Sequence, residues 1–401
     1  MELFLQFGYG MMDHCCSLIQ EWGNGTIILS PRDLKPNQLQ SFAKKVLNLG
    51  GSLLLDPQFY LPYADHERLQ SHEYFPKQYA SFEFWSGAGL RALLMDLYTL
   101  NHQLGCDDFI LPGLYALEID EDWLIRQNAV IQQALSLEEN QKDLIAIVAL
   151  SADATRNVDQ IHELIEAARL WNVNGIYLIC EHPKGQYLVE DPIWVANVID
   201  LIAGFRLSGK RVIVGYCNHQ MLISGCASAT AIASGTWMNV RSFPPEKFNA
   251  QYLEEIKQKA VWYYCAKGLS EFKISYLDIA MGQGLLNQMA SSGTLGSHYA
   301  DILFQGTQPS TVGFGERQAF RHYLQSLKNQ VLYLRQNSFN DTIDTYESTL
   351  VTAEELLQQL HSAGIRGQDR DFGKAIDANR AALSLLKTTR GPMLRRNWSR
   401  L

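Results

Sequence analysis

Two carboxylates in this chain end apolar runs. Asp56 follows Leu53, Leu54 and Leu55 and precedes Pro57, and Glu181 follows Tyr177, Leu178, Ile179 and Cys180. A carboxylate at such a position stands where the chain leaves a core, and partial burial raises its pKa toward the range a general acid or base needs. Paired across a cavity, the two would suit hydrolysis or group transfer. The competing role for each is to hold a loop by accepting backbone or arginine hydrogen bonds. Arg32, Arg156 and Arg241 supply planar cations that together suit a phosphate or carboxylate ligand, although each taken alone is more often partner to a nearby Asp. Gly8 and Gly10, in the run Phe7-Gly8-Tyr9-Gly10, let the backbone approach a ligand at the start of a helix. The run is not GxGxxG, so no dinucleotide fingerprint is read there. Tyr60, Tyr216 and Asn218 are the side chains expected to orient a ring.

Placing these residues together requires a particular scaffold. Eight short apolar runs, at 3–7, 26–30, 52–56, 108–111, 144–150, 175–180, 211–216 and 236–241, alternate with helix-like stretches such as 38–49, 123–135, 158–171 and 194–207. The apolar residues of those stretches recur every three or four positions. Alternation of this kind predicts parallel strands with right-handed crossovers, and eight units predict a (β/α)8 TIM-type barrel over residues 1–243. Sites in such barrels lie at the carboxyl ends of the strands. The third and sixth strands face one another there, which sets Asp56 opposite Glu181. The unusually long connection at 61–83, rich in aromatics and charge, is expected to be a lid.

Pro244-Pro245 breaks the rhythm, and residues 244–401 are expected to form a helical C-terminal extension with a basic tail. Helices are predicted over 245–266 and 275–289. A Gly/Ser passage follows at 291–296, then helices over 316–335, 341–360 and 372–386. In the first of these three, Phe320, Leu324, Leu327, Val331 and Leu334 form an apolar stripe. Asp341 is the expected cap of the next, and Gly364 its expected stop.

Composition narrows the function. With 47% hydrophobic residues and a net charge of −8, the chain has a large core and no global attraction to nucleic acid or anionic membrane. No basic leader precedes a long apolar core, and no window approaches the roughly 18 apolar residues of a membrane span, so a cytoplasmic protein with no membrane partner is expected. Seven cysteines, an odd set without CxxC or zinc spacing, read as free buried thiols. No metal site is predicted, and no cofactor is indicated. The usual landmarks of several barrel chemistries are missing. Strand one offers Leu5-Gln6-Phe7 where a metal amidohydrolase has His-x-His, and the fourth run ends at Pro112-Gly113 without a glycosidase carboxylate. A Schiff-base aldolase needs a lysine inside a strand, and Lys184, past the end of the sixth run, lies in a loop.

Residues 361–401 carry nine Lys or Arg against three Asp, a net +6 that leaves −14 on the remainder. Such asymmetry fits a nucleic-acid or protein contact, or a clasp on the acidic body. The C-terminal helices also offer a surface for a homo-oligomer. The leading expectation is a hydrolase or transferase, favoured over an oxidoreductase, acting on an anionic, ring-bearing small molecule or nucleotide. The alternatives are a catalytically inactive barrel serving as a binding or scaffold subunit, and a nucleic-acid base-processing protein guided by the basic tail.

Overall fold

The strands form because their residues are apolar on both faces. In β6 (Leu144–Leu150) and β7 (Gly175–Cys180) every residue is buried, as in parallel strands covered by helices on one side and a packed interior on the other. The computed structural model describes residues 1–401 except 78, 86, 138–141, 253–259 and 292. The intervening helices begin at caps: Asp120 accepts from the Trp123 N–H, Asn157 from the Gln160 N–H and Asp191 from the Ile193 N–H. Pro36 and Pro192 occupy first-turn positions, where the missing N–H costs nothing.

The remaining strands are β1 (Glu2–Gln6), β2 (Thr26–Leu29), β3 (Ser52–Leu55), β4 (Phe109–Ile110), β5 (Tyr115–Ala116), β8 (Arg211–Val214) and β9 (Ala231–Ser234). They assemble in the order β3-β2-β1-β9-β8-β7-β6-β4, with β5 also on β6, and all pairs are parallel. β4 and β5 are two parts of one strand position. Phe109 faces Leu144 while Tyr115 faces Ala149, so the fourth strand carries one extra residue, a bulge, along β6. Gly113 lies within it, where an added Cβ would come 2.6 Å from the Ile147 side chain. The result is a curled parallel sheet of eight strand positions. Its two ends are not joined by a ladder among the described residues. The Asp107 N–H donates to Leu53 O at 3.0 Å, and nearer the mouth the Tyr115 N–H donates to Tyr60 O at 3.0 Å.

Several expectations are corrected. The fourth strand does not end at Pro112-Gly113 but continues to Ala116, because the bulge absorbs the proline and glycine. The eighth strand is Ala231–Ser234 and not 236–241, which instead holds a single 3-10 turn, Met238–Val240. Alanine is a weak strand former, but all four residues of this strand are buried, and burial outweighs propensity. The strand stops at Gly235, where an added Cβ would lie 2.5 Å from both Gln6 O and the Val240 side chain.

The helix expected over 245–266 is also absent from the described part of that range. Pro245–Phe248 is a 3-10 turn, residues 253–259 lie outside the described residues, and Trp262–Cys265 is a strand, β10, paired antiparallel with β11 (Ser270–Lys273). Two consecutive prolines and the aromatic run Trp262-Tyr263-Tyr264 favour turn and strand over helix. Downstream, helices Glu316–Tyr333, Phe339–Ser362 and Ile376–Thr389 follow the predicted stretches, whereas the helix expected over 275–289 is broken near Gly284, at φ 70°, into Ile274–Gly282 and Leu286–Met289. Residue 292 of the Gly/Ser passage lies outside the described residues. The cap of Phe339–Ser362 is Ser338 and not Asp341: the Ser338 hydroxyl accepts from the Asp341 N–H at 3.1 Å. Gly364 does follow its end, at φ 77°.

The hairpin and C-terminal helices share one continuous apolar core with the sheet. Helix Glu316–Tyr333 lies against β10: Gln330 accepts from the Tyr264 hydroxyl at 2.8 Å and donates to Ala266 O at 3.0 Å. The basic tail is folded onto the body. Arg390 grips Asp200 through Nε at 2.7 Å and Nη2 at 2.9 Å, Lys387 reaches Glu347, and Arg380 reaches Glu354. Trp398 packs edge-on against Phe339, so the tail makes the internal contacts that a clasp requires.

Candidate functional site

Asp56 is fully buried at the carboxyl end of β3, where the chain leaves the sheet. Three donors meet its carboxylate. The Tyr60 hydroxyl lies 2.7 and 2.8 Å from its two oxygens, the Tyr216 hydroxyl 2.8 Å from Oδ2, and the Gln58 N–H 3.0 Å from Oδ1. Burial pushes the Asp56 carboxyl up to about 6, even though the two hydroxyls, the Gln58 N–H and the charge of Lys247 all pull it back down. Gln58 and Tyr216 both sit in the left-handed backbone region, at φ 54°. Non-glycine residues adopt that region at a cost, and here both deviations bring side chains into one network. Gln58 donates to Ser30 at 2.9 Å and to the Tyr216 hydroxyl at 3.2 Å, and its Oε1 accepts from the Arg32 N–H at 2.8 Å.

Two chain segments cover this network. The first is the expected lid at 61–83; residue 78 lies outside the described residues. Its Tyr74 hydroxyl donates to Pro57 O at 2.7 Å, and the His72 ring nitrogen lies 3.0 and 2.9 Å from the carbonyls of Pro31 and Leu34. The second is a strap, residues 243–250, of which 245–250 fall in the stretch expected to be helical. Phe243 packs on Tyr60 and Tyr216 with ring centroids 5.0 and 5.1 Å away, and Phe248 packs on Tyr60 at 5.2 Å. Between them Lys247 is buried, its ammonium 3.9 Å from the centre of the Tyr216 ring and donating to Asn239 O at 2.8 Å. Arg32 Nε donates to Lys247 O, the His66 N–H to Phe248 O and the Ala250 N–H to Asp65, so the strap is fastened to the second strand's loop and to the lid.

Glu181 stands at the end of β7, half-buried. The Tyr115 hydroxyl donates to it at 2.5 Å and the Ala152 N–H at 3.1 Å. Tyr115 belongs to the bulged fourth strand and touches Phe243 at 6.1 Å. Asp56 is thus held by Tyr60 and Tyr216 and Glu181 by Tyr115; all three rings pack against Phe243, and the two carboxylates share no hydrogen-bond partner among the described residues.

The other expected ligand residues are engaged elsewhere. Arg32 pairs with Asp33 at 3.0 Å, and Arg156, half-exposed, pairs with Asp191 at 2.7 Å. Asn218 is buried, donating to Tyr187 O and accepting from the Gln220 N–H. Gly8 is packed so tightly that an added Cβ would lie 2.9 Å from Val240, while Gly10 turns in the open at φ 73°. Arg241 lies in a second buried cluster. It faces Glu271 at 3.2 Å and stacks 3.4 Å from the centre of the Tyr323 ring, and Glu271 also accepts from Arg370 at 2.7 Å and from the Tyr187 hydroxyl at 2.6 Å. Burial alone would raise the Glu271 carboxyl, but Arg370 and Arg241 bring it down to about 2. This cluster joins the sheet mouth to the C-terminal hairpin.

Sequence reasoning missed Lys247, Gln58 as a network member, Tyr115 and Glu271. Gln58 had a signal, since it follows an Asp-Pro step at a strand end. The others depend on the bulge, the strap and the hairpin, which the residue pattern did not reveal.

All seven cysteines are free and buried. Among the described residues no group of three or more His, Cys, Asp or Glu side chains is placed to hold a metal ion, and no helix is long and apolar enough to cross a membrane. No family model and no curated protein matches the chain. Among solved structures it is similar to a mutant of the O-GlcNAc hydrolase of Thermobaculum terrenum, with TM-score 0.37 and 11% identity over 99% of this chain and 96% of that one. A likeness that faint carries no argument about activity.

Proposed function

We propose that the protein is an enzyme of the hydrolase or group-transferase kind, with its reaction centre at the Asp56 network on the carboxyl edge of the curled sheet. The observation that carries this reading is a fully buried carboxyl that meets three hydrogen-bond donors and sits next to two strained non-glycine residues. Strain of that kind collects at functional sites. With a pKa of about 6, Asp56 exchanges a proton near neutrality: protonated, it donates to a leaving group, and ionised, it takes a proton from water or an acceptor hydroxyl. Tyr60 and Tyr216 hold the carboxyl in place, their own rings packed beneath Phe243 and Phe248. Glu181, held by Tyr115, is the second acid–base group of this reading.

The negative charge expected of the ligand finds no support, since Arg32, Arg156 and Arg241 each face a carboxylate of the protein. The reading takes the curled sheet as a barrel whose seam between β3 and β4 is held by the Asp107 and Tyr115 bonds. Loss of a positioned acid–base group costs roughly 10²–10⁴-fold in rate. Asp56→Asn is therefore expected to lose turnover on that scale and Glu181→Gln to lose less. Full activity in both variants would end the assignment.

One observation favours a second reading. Phe243, Lys247 and Phe248 fill the mouth over Asp56, as in a barrel kept for binding or scaffolding. Under that reading Asp56→Asn changes stability alone.

A further inference from the structure

The two faces of the strap differ. Lys247 and Phe248 point inward to Tyr216 and Tyr60, whereas Glu246 and Asn249, on either side of them in sequence, line an open cavity of about 450 Å³. The other lining residues are Tyr63 and Asp65 from the lid, and Gln251 and Tyr252 beyond the strap. The cavity thus follows the seam where lid and strap are fastened by the Ala250–Asp65 bond, directly outside the Asp56 network. Tyr63 is 72% exposed, yet it is not loose, since its ring rests edge-on against Tyr79 at 4.9 Å.

We propose that this seam cavity is a binding site for an uncharged ring bearing vicinal hydroxyls, and that it is the outer subsite of the reaction centre. The chemistry follows from the lining. An exposed aromatic ring, fixed from behind, offers a flat apolar face to another ring. Carboxylates accept two adjacent hydroxyl protons at once, and the primary amides of Asn249 and Gln251 both donate and accept. Two carboxylates with no lysine or arginine side chain among the described lining residues repel a phosphorylated ligand. The proposal rests on the hydrolase or transferase reading for its place in a reaction, but not for binding itself.

The test uses the full chain and two matched pairs: methyl glucoside against glucose 6-phosphate, and adenosine against adenosine 5′-monophosphate. Binding is read by saturation-transfer NMR and titration. At least one neutral member is expected to bind, about tenfold or more tighter than its phosphorylated partner. Which neutral member binds separates a sugar from a nucleoside as the natural source. Tyr63→Ala, at an exposed position, is expected to weaken that binding about tenfold with an unchanged circular dichroism spectrum. Glu246→Gln should weaken it less and narrow the gap between pair members. Absence of binding by both neutral rings, tighter binding of the phosphorylated forms, or binding indifferent to both substitutions would overturn the proposal. Asp56→Asn should leave this binding intact, so a failed subsite and a failed reaction centre give different results.

Discussion

Asp56 keeps its proton to a higher pH in the folded chain than in the unfolded one, and the sign of the consequence is fixed by linkage. Its folded pKa is raised from 3.8 to about 6, so between those values the native state binds more protons, and stability falls as pH rises through that window. The loss amounts to about 3 kcal/mol by pH 7. Asp56→Asn should flatten the pH dependence of urea unfolding between pH 4 and 7, and an unchanged slope would contradict the burial argument. Glu271 behaves oppositely. Its folded pKa is depressed to about 2, so its contribution is present above the ordinary glutamate range and is lost as pH falls toward 2. Glu271→Gln leaves Arg241 buried without its counter-charge and should cost about 3–5 kcal/mol, read by thermal or urea unfolding. At this scale the sequence was partly legible. Asp56, Tyr60 and Tyr216 announced themselves by standing at the ends of apolar runs. Glu271 did not, because its importance arises from a hairpin that brings it to Arg241 across 30 residues.

Elements were legible wherever one local pattern decided them. Continuous apolar runs identified the buried strands, and three-to-four spacing identified the helices on either side of them. The pattern failed where packing overrode propensity, at the alanine-rich Ala231–Ser234, and where a bulge carried the fourth strand past Pro112-Gly113. It failed again at the strap, since a proline pair shows where a helix cannot run but not what a 3-10 turn will cover. Gly215 tests how tightly the sheet interior is packed. An added Cβ there would lie 2.5 Å from the Tyr177 ring, so Gly215→Ala should destabilise by about 1–3 kcal/mol in chemical unfolding. The tail offers another test at this scale. Arg390 and Asp200 form a two-bond, mostly buried pair between the last helices and helix Pro192–Leu207, and Arg390→Ala should cost about 1–2 kcal/mol. A tail held in this way should also stay packed as salt rises, which proteolysis at increasing ionic strength can follow.

At the scale of the whole molecule, charge and packing support one picture. The acidic body and basic tail are joined by ion pairs that span the chain, and the mouth of the sheet is closed over by segments from three places: the lid, the strap and, through Glu271 and Tyr323, the C-terminal hairpin and helix. A curled sheet alone would leave Asp56 in water, where its carboxyl would have an ordinary pKa. Burial by distant segments is what turns a strand-end aspartate into a group that exchanges protons near neutrality. The alternation of strand and helix foretold the sheet, but no local pattern foretold which later segment would seal it.

The most direct test is a turnover screen over hydrolysable ester, glycoside, amide and phosphoester bonds, run in parallel with the wild-type chain and Asp56→Asn across pH 4–9. The account predicts that the wild type cleaves at least one class with a break in rate near pH 6, and that Asp56→Asn, folded and no less stable, loses that turnover roughly 10²-fold or more. Equal turnover by the two proteins, or none by the wild type in any class with either water or an added alcohol as acceptor, would contradict it.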